Sequence, residues 1–226
     1  MGIWVDPELP VVRCERMSVF LPDAASLAAA FASLPEWRRR KAEAFRFEAD
    51  RRRSVAVWML LRQMLAERGL DADSLSVTEN EFGKPAFEAS LGIHFNLSHG
   101  GERVMAAVSD LPVGCDVERI VPFDEGVARE CLTDEELAWV KRSHPGLDRD
   151  RMFVRLWVRK EAYVKAVGRG LGIELKSFSV LPGKCPANWC FRNLDYPDGC
   201  LGCVVSVRNS ETDCGRFMEL AKYKNT

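Results

Sequence analysis

Two carboxylates, two positions apart, are the sharpest chemical feature of the sequence. Asp116 and Glu118 lie in a segment, residues 113–118, that is predicted to be a strand. Alternate side chains of a strand point to the same face, so both carboxylates would point together. Two anions this close repel each other unless a cation lies between them, and Mg²⁺ usually binds one or two carboxylates together with substrate phosphates. The pair indicates either a magnesium site or an ordinary solvated strand face.

A third carboxylate lies on a helix predicted over residues 151–167. Trp157, Glu161 and Lys165 recur at intervals of four residues, so they share one face of that helix. Glu161 could add a metal ligand or accept a proton, and Lys165 could offset negative charge on a phosphate. The same spacing also suits a plain stabilising ion pair.

Two glycine-containing turns could contact a phosphate. One is residues 82–85, which present Lys84 next to Pro85, and the other is residues 96–101, where Ser98 and His99 precede two glycines. Lysine, serine, histidine and free backbone N–H groups in such turns are suitable phosphate donors. Ser98 and His99 do not form a hydrolase dyad, because neighbouring strand side chains point opposite ways and no G-x-S-x-G turn is present. A lone histidine at a strand end is also a common structural residue.

Helices are predicted to begin the chain's regular structure. Ser33 and Glu36 have the spacing of a capping box, which predicts a helix from there to about residue 47. A second helix is expected from Asp50, as N-cap, to Gly69. Both helices are rich in arginine and lysine over residues 38–53.

Strands and helices then alternate in groups. Strands are expected over residues 91–97, 104–108 and 113–118, the last two as a hairpin around Ser-Asp-Leu-Pro. Further helices are expected over residues 133–142 and 151–167, and further strands over residues 177–181, 189–192 and 201–207. Helices followed by strands, twice over, predict an α+β protein with two similar halves, residues 1–110 and 111–226.

Composition excludes several classes of protein. The 226 residues are 47% hydrophobic and carry a formal net charge of -1, so a general nucleic-acid or anionic-membrane coat is not expected. No run reaches the roughly 18 apolar residues that a membrane span needs, and a cytoplasmic location is expected. The eight cysteines are expected to be free thiols, since Cys185 and Cys190 are poorly spaced to complete a zinc site with Cys200 and Cys203.

The motifs taken together resemble one family, the 4'-phosphopantetheinyl transferases of the type that activates surfactin synthetase. In chain order they are G-K-P at residues 83–85, F-N-L-S-H at 95–99, G-C-D-V-E at 114–118, W-V-R-K-E-A-Y-V-K at 157–165 and G-R-G-L at 168–171. A fainter match lies at residues 41–54. The family fold is a pseudo-dimer of two α/β halves with the active site in the cleft between them. The resemblance implies a monomer with this fold.

The resemblance also implies a reaction. The 4'-phosphopantetheine of coenzyme A would be transferred to a serine of an apo acyl or peptidyl carrier protein, with release of adenosine 3',5'-bisphosphate. Asp116, Glu118 and Glu161 would bind Mg²⁺. Glu161, or a water on the metal, would take the serine proton, and Lys165 would steady charge on the leaving side.

Positions that contact coenzyme A in the family can be carried over by motif. Arg38, Lys41, Arg53 and Ser54, with His99, match those that bind the 3'-phosphate. Lys84, Pro85 and Ser98 match those that contact the nucleotide and pyrophosphate, and Glu136 matches an acidic residue placed near the metal in some members. The chain departs from the family pattern at Arg38, often a lysine, and at Cys115, usually an isoleucine.

Two other functions fit part of the pattern. A metal-dependent phosphohydrolase or nuclease could use the same carboxylates without a carrier protein. A non-enzymatic RNA-binding module could use the basic residues 38–53, but it would lack aromatic recognition strands and would oppose the overall negative charge.

Overall fold

The computed structural model describes residues 10–208, which form two antiparallel three-stranded sheets, a short hairpin and six α-helices. The strands are β1 (Val11–Arg16), β2 (Val77–Glu79), β3 (Pro85–Phe87), β4 (His94–Gly100), β5 (Arg103–Ser109), β6 (Val113–Arg119), β7 (Trp189–Asp195) and β8 (Cys200–Val207). The helices are α1 (Ala24–Ala32), α2 (Glu36–Glu43), α3 (Glu48–Ala66), α4 (Glu125–Cys131), α5 (Asp134–Arg142) and α6 (Leu147–Val167).

Each sheet is covered by one long helix. The first sheet has the strand order β1-β5-β4 and packs against α3, whose buried Trp58 and Leu61 belong to the same core as Phe95 and Val104. The second sheet has the order β6-β8-β7 and packs against α6. Its separate core includes Phe153, Val158, Leu201 and Val205. Burial of these apolar faces drives each helix onto its sheet.

A third apolar layer joins the two sheets. Because side chains alternate along a strand, Met105 and Ala107 of β5 point away from α3. They share a buried cluster with Cys115 and Val117 of β6 and Val204 of β8. The order of layers is therefore helix, sheet, sheet, helix.

The two halves repeat one arrangement. In the first, the chain order is β1, α3, β4, β5, and the last strand lies in the middle of the sheet. In the second, the order is β6, α6, β7, β8, and again the last strand is central. The α+β pseudo-dimer expected from the sequence is confirmed.

The hairpin predicted between residues 104–108 and 113–118 is wrong. Both strands exist, but β5 pairs with β1 and β4, whereas β6 pairs with β8. Since both edges of β5 are occupied, the strand after Ser109 cannot pair with β5, and it begins the second sheet instead. The Ser-Asp-Leu-Pro segment is thus the crossover between the halves.

Several helix boundaries also differ from the prediction. Ser33 is the C-cap of α1, a helix that the sequence analysis did not predict, and its hydroxyl donates to the Ala30 carbonyl at 2.8 Å. The expected capping box with Glu36 is therefore wrong, and Pro35 occupies the N-cap of α2. The next helix begins at Glu48 with Phe47 as N-cap, which places Asp50 in the first turn.

Local hydrogen bonds explain why one further predicted element is present and another is absent. The helix expected over residues 133–142 is present as α5, and Thr133 and Glu136 form a complete capping box. The strand expected over residues 177–181 is absent, because the Val180 N–H donates to the Glu136 carboxylate at 2.7 Å instead of to another strand. Strands β1, β2 and β3 and helix α4 were not predicted.

The seven cysteines within residues 10–208 are free thiols, as expected. Cys200 and Cys203 belong to cores on opposite faces of the second sheet, so they do not form a metal-binding pair. Cys214 lies outside the described residues. No helix between residues 10 and 208 is both long and apolar enough to cross a membrane.

A polar contact also ties the halves together. Arg103, at the start of β5, donates from Nε to both carboxylate oxygens of Asp198 at 2.9 Å. Its guanidinium carbon lies 4.1 Å from the centre of the Tyr196 ring. Burial alone would raise the pKa of Asp198, but the hydrogen bonds and charge of Arg103 outweigh it and lower that pKa.

We expect Asp198→Ala to lower the free energy of unfolding by about 2 kcal/mol, because it leaves the largely buried Arg103 without its carboxylate. Asp195→Ala is the matched control. Its half-exposed carboxylate bonds Arg151 and Arg155, and its loss should cost less than about 1 kcal/mol. Urea denaturation followed by circular dichroism measures both, and equal losses would contradict the role given to Asp198.

Candidate functional site

The predicted carboxylates meet where β6 contacts α6. A Cβ added at Gly114 would lie 2.1 Å from the Ala162 carbonyl oxygen and 2.3 Å from the Ala166 nitrogen, so the two backbones are in direct contact. On the other side of β6, a Cβ at Gly100 would lie 2.2 Å from the Val117 carbonyl oxygen, so β4 also lies close. Glycine is required wherever backbones approach this closely. The site is built on three rigid elements.

Asp116 lies at the centre of this junction. Its side chain is buried, and Oδ1 accepts hydrogen bonds from Lys165 Nζ at 2.6 Å and from Ser98 Oγ at 2.7 Å. Oδ2 is also buried and has no hydrogen-bond partner among the described residues. The solvated strand face considered for this residue is therefore excluded. Lys165, on α6, forms its ion pair with Asp116 of β6.

The neighbouring carboxylates are strained electrostatically. Burial, with the charges of Asp116 and Glu161, raises the pKa of Glu118 to about 7. Burial and the charge of Asp116 likewise raise the pKa of Glu161. Burial alone would lower the pKa of Lys165, but Asp116 outweighs it and raises that pKa. Lys165, and Arg53 in the case of Glu118, act against these increases, but both pKa values stay raised, so the three acids leave an excess of negative charge.

A divalent cation would relieve this excess. Among residues 10–208, no three His, Cys, Asp or Glu side chains converge closely enough to hold a metal ion as they stand. The donor set is nevertheless suitable: Asp116 Oδ2 is a buried oxygen without a partner, and Glu118 and Glu161 are destabilised as anions. Hard oxygen ligands of this kind suit Mg²⁺.

A cationic side chain, that of Arg53, lies close to His99. Arg53, on α3, donates from Nε to the Gly101 carbonyl at 2.9 Å and from Nη1 to Asp50 at 2.8 Å. Burial, with the charges of Lys165 and Arg53, lowers the pKa of His99. Both cations lie close enough to disfavour a protonated imidazole, and positive charge beside His99 suits an anionic ligand.

Other residues assigned to the 3'-phosphate lie deeper or farther away. The Arg38 guanidinium is buried, lies 5.5 Å from the centre of the Trp58 ring and donates to the Ser54 carbonyl at 2.6 Å. Burial lowers the pKa of Arg38 to about 10. Lys41 is exposed on one side and pairs with Glu79 at 3.0 Å. The structure places Arg53 and His99 near the carboxylates. The side chains of Arg38 and Lys41 instead have protein partners, and the buried Ser54 hydroxyl has no hydrogen-bond partner among the described residues.

A cavity of about 360 Å³ opens beside Glu161 and Lys165, between α6 and the turn that joins β2 to β3. Lys84 lines this cavity, but its ammonium group donates hydrogen bonds to the Val113 and Ala166 carbonyls at 3.2 and 3.1 Å. Burial lowers the pKa of Lys84 to about 8. The remaining lining residues are Phe82, Gly83, Pro85, Asn96, Leu97, Val164, Gly168, Gly170, Ile173 and Leu175.

Glu136 is engaged in a separate buried ion pair. Its carboxylate lies 2.8 Å from Lys160 Nζ and also accepts from the Thr133 and Val180 N–H groups at 2.9 and 2.7 Å. Lys160 completes its hydrogen bonds with the Leu175 and Phe178 carbonyls. Both side chains are fully buried. The pair links α5, α6 and the segment at residues 175–180. Glu136 therefore stabilises the packing of α6, the helix that carries Glu161 and Lys165.

Sequence reasoning missed two asparagines. Asn96 accepts the Cys115 N–H through Oδ1 at 2.9 Å and thereby aligns β4 with β6. Asn80 donates to the Gly168 carbonyl at 2.7 Å, across the two halves. Asn96 belongs to the F-N-L-S-H motif, so its motif could have indicated it. Asn80 had no comparable signal, because its partner is 88 residues away.

Comparison with known proteins identifies the family that this chain resembles. Residues 112–205 match the family model described as the 4'-phosphopantetheinyl transferase superfamily. Residues 19–110 match the model described as 4'-phosphopantetheinyl transferase, N-terminal. A 4'-phosphopantetheinyl transferase of Bacillus subtilis is 34% identical over 180 residues, which are 79% of this chain and 74% of that protein. The chain belongs to the 4'-phosphopantetheinyl transferase family.

Other relatives extend the range of the family. The 4'-phosphopantetheinyl transferase psf-1 of Bacillus pumilus is 36% identical over 143 residues, covering 63% of this chain and 61% of the relative. The L-aminoadipate-semialdehyde dehydrogenase-phosphopantetheinyl transferase of Rattus norvegicus is 26% identical over 179 residues, covering 72% and 58%. The resemblance inferred from the motifs is confirmed, and membership of this transferase family favours neither the hydrolase nor the RNA-binding alternative.

We expect Gly114→Ala to destabilise this transferase-family fold by about 3 kcal/mol, because a methyl group there would meet backbone atoms that cannot move alone. Gly126→Ala is the control. A methyl group at Gly126, in α4, would meet only the Asp124 side chain, and the change should stay within about 1 kcal/mol. Urea unfolding of both variants measures the difference; a Gly114→Ala protein as stable as the control variant would refute the close contact.

Proposed function

We propose that the protein transfers the 4'-phosphopantetheine group of coenzyme A to a serine of an apo acyl or peptidyl carrier protein. The observation that carries the proposal is the junction of the two halves. There, Asp116, Glu118, Glu161 and Lys165 lie beside Arg53 and His99. Family membership supports the same reaction. Coenzyme A is the donor substrate, and adenosine 3',5'-bisphosphate is released.

Each side chain has a role that its surroundings suit. The carrier serine oxygen attacks the phosphorus that bears pantetheine, and the bond from that phosphorus to the bridging oxygen of the pyrophosphate breaks. Glu161 accepts the serine proton, since a carboxylate with a raised pKa is a better base than an ordinary one. Lys165 offsets charge on the departing phosphate. Ser98 and Asp116 hold the Lys165 ammonium in place.

Mg²⁺ is part of the proposal. Asp116, Glu118 and Glu161 would hold it, and when bound it would neutralise charge on the pyrophosphate. Because these side chains do not converge as they stand, binding would require Glu118 and Glu161 to rearrange. Arg53 and His99 would bind the 3'-phosphate, with Arg38, Lys41 and Ser54 supporting that region. Lys84, Pro85 and Ser98 would border the nucleotide and pyrophosphate.

The same proposal covers the larger organisation. We place the halves at residues 1–110 and 111–226, with the substrate in the cleft between them and one chain as the working unit. In this arrangement the first half supplies most of the cations, and the second half supplies the carboxylates and Lys165. Both are needed, because phosphoryl-type transfer depends mainly on positioning and charge neutralisation.

Transfer is tested with Mg²⁺, a fluorescent coenzyme A and a panel of apo-carrier proteins. We expect label on the carrier serine, and none on a carrier whose serine is replaced by alanine. Glu161→Gln should lower kcat by at least about 100-fold, through loss of the base, while the Kd for coenzyme A changes less than threefold. Glu135→Gln, on the exposed face of α5, is the control and should transfer normally.

Two results would overturn the transferase proposal. One is Mg²⁺-dependent breakdown of coenzyme A without label on any carrier, which would indicate a hydrolase. The other is near-normal kcat in Glu161→Gln, which would remove the base. Tight, salt-dependent RNA binding without transfer would favour the non-enzymatic alternative.

Cation binding is tested separately by thermal unfolding. We expect millimolar Mg²⁺ to raise the Tm by roughly 2–5 °C. Glu118→Gln should raise the Tm of the metal-free protein, because it replaces a half-buried carboxylate, crowded by Asp116 and Glu161, with a neutral amide. The same substitution should abolish most of the rise caused by Mg²⁺. Glu135→Gln should change neither value, and a full Mg²⁺ response in Glu118→Gln would exclude Glu118 as a ligand.

A further inference from the structure

The hairpin of β2 and β3 contacts the C-terminal end of α6. Asn80 Nδ2 donates to the Gly168 carbonyl at 2.7 Å, and Lys84 Nζ donates to the Ala166 carbonyl at 3.1 Å. Lys84 Nζ also donates to the carbonyl of Val113, the first residue of β6, at 3.2 Å. One hairpin of the first half therefore holds two elements of the second half, and these two elements carry the proposed catalytic carboxylates.

These contacts meet a physical need of α6. The last carbonyls of a helix have no partner within the helix, and they form the negative end of its dipole. Gly168 adopts a left-handed conformation with φ of 78°, and its N–H returns to the Val164 carbonyl at 2.9 Å. The Ala166 carbonyl is then satisfied by the Lys84 ammonium group and the Gly168 carbonyl by the Asn80 amide, both from the other half.

The hairpin is organised to present these two donors. Asn80 Oδ1 accepts the N–H groups of Phe82 and Lys84 at 3.0 and 2.9 Å, which leaves its amide nitrogen facing Gly168. Gly83 has a φ of 78°, as the tight turn requires. A Cβ at Gly168 would lie 3.0 Å from Lys84 Cδ, so the lysine stem lies directly on the helix end.

We propose that Asn80 and Lys84 form a cap that one half places on the C-terminus of α6 in the other, and that this cap positions Glu161 and Lys165. The inference rests on the proposed function for what Glu161 and Lys165 do. It makes Lys84 a positioning residue, whereas the family resemblance assigns Lys84 to the nucleotide and pyrophosphate. Asn80 receives a role that no motif suggested.

The environment of Lys84 supports positioning. Among residues 10–208 no carboxylate forms an ion pair with its ammonium group, and two of its three N–H bonds are directed at carbonyls. The third N–H could still reach a phosphate, so direct contact is the competing role. Glu161 lies five residues before Ala166, about 7.5 Å along the helix axis. A shift of the last turn would therefore be transmitted to both Glu161 and Lys165.

Hydrogen–deuterium exchange of the protein alone tests the cap without any substrate. We expect Asn80→Ala and Lys84→Met each to speed exchange of the amides at residues 164–168 by about tenfold, because the last turn loses a hydrogen-bond donor. Amides at residues 151–155 of the same helix should exchange as in the wild type. Glu81→Ala, an exposed change on the same hairpin, is the matched control and should leave all of α6 unchanged.

Kinetics separate the two roles of Lys84. Positioning predicts that Asn80→Ala and Lys84→Met lower kcat about tenfold while the Kd for coenzyme A, measured by calorimetry, changes less than threefold. Direct phosphate contact predicts a Kd at least about tenfold higher for Lys84→Met, with normal exchange in α6 and a fully active Asn80→Ala. That second pattern would overturn the cap.

Different results would refute the proposed function and the proposed cap. If the wild-type protein labels no carrier, the proposed function fails, whereas exchange at residues 164–168 still decides whether the cap exists. If exchange and kcat of both variants match the wild type, the cap is refuted while transferase activity stands. Should Lys84→Met not fold, Asn80→Ala alone gives the decision, because it removes the hydrogen bonds of Asn80 to Gly168, Phe82 and Lys84 but no charge.

Discussion

The contact between Gly114 of β6 and the backbone of α6 at Ala162 and Ala166 determines where every charged group of the site can lie. With no Cβ between them, strand and helix approach until Asp116, two residues along β6, faces Lys165 at 2.6 Å. Any larger side chain at position 114 would separate the elements and break this ion pair. The ion pair in turn fixes the end of Lys165, a side chain that would otherwise sample many rotamers.

Burial at this junction has opposite effects on its members. Asp116 and Lys165 compensate each other, since an opposite charge within hydrogen-bond distance offsets the loss of water. Among residues 10–208, Glu118 and Glu161 form no ion pair of this kind, and burial with neighbouring negative charge raises the pKa of both. A protein selected for stability alone would replace such carboxylates with neutral residues. Carboxylates kept at the expense of the free protein's stability are typical of a functional site.

Local patterns in the sequence predicted local structure well and long-range partners poorly. The helices expected over residues 133–142 and 151–167 depend on nearby residues, and both are present as α5 and α6, with a capping box at Thr133 and a left-handed end at Gly168. Asp116 and Glu118 were correctly predicted to point to the same face of β6. Their burial, however, depends on α6, some 45 residues later in the chain. The hairpin between β5 and β6 was wrong for the same reason: strand pairing depends on β1 and β8, which lie outside any local window.

The repeated arrangement of the two halves explains why the charges are divided between them. Equivalent long helices, α3 and α6, each cover one sheet, yet α3 contributes Arg53 to the site whereas α6 contributes Glu161 and Lys165. A symmetric pair of sites would place like charges together across the junction, where they would repel. Divergence of the halves instead places a cation of one near a carboxylate of the other, since the charge of Arg53 acts to lower the pKa of Glu118. The cross-half contacts of Asn80 and Lys84 then matter mechanically, because opposite charges are useful only while the halves keep a fixed relative position.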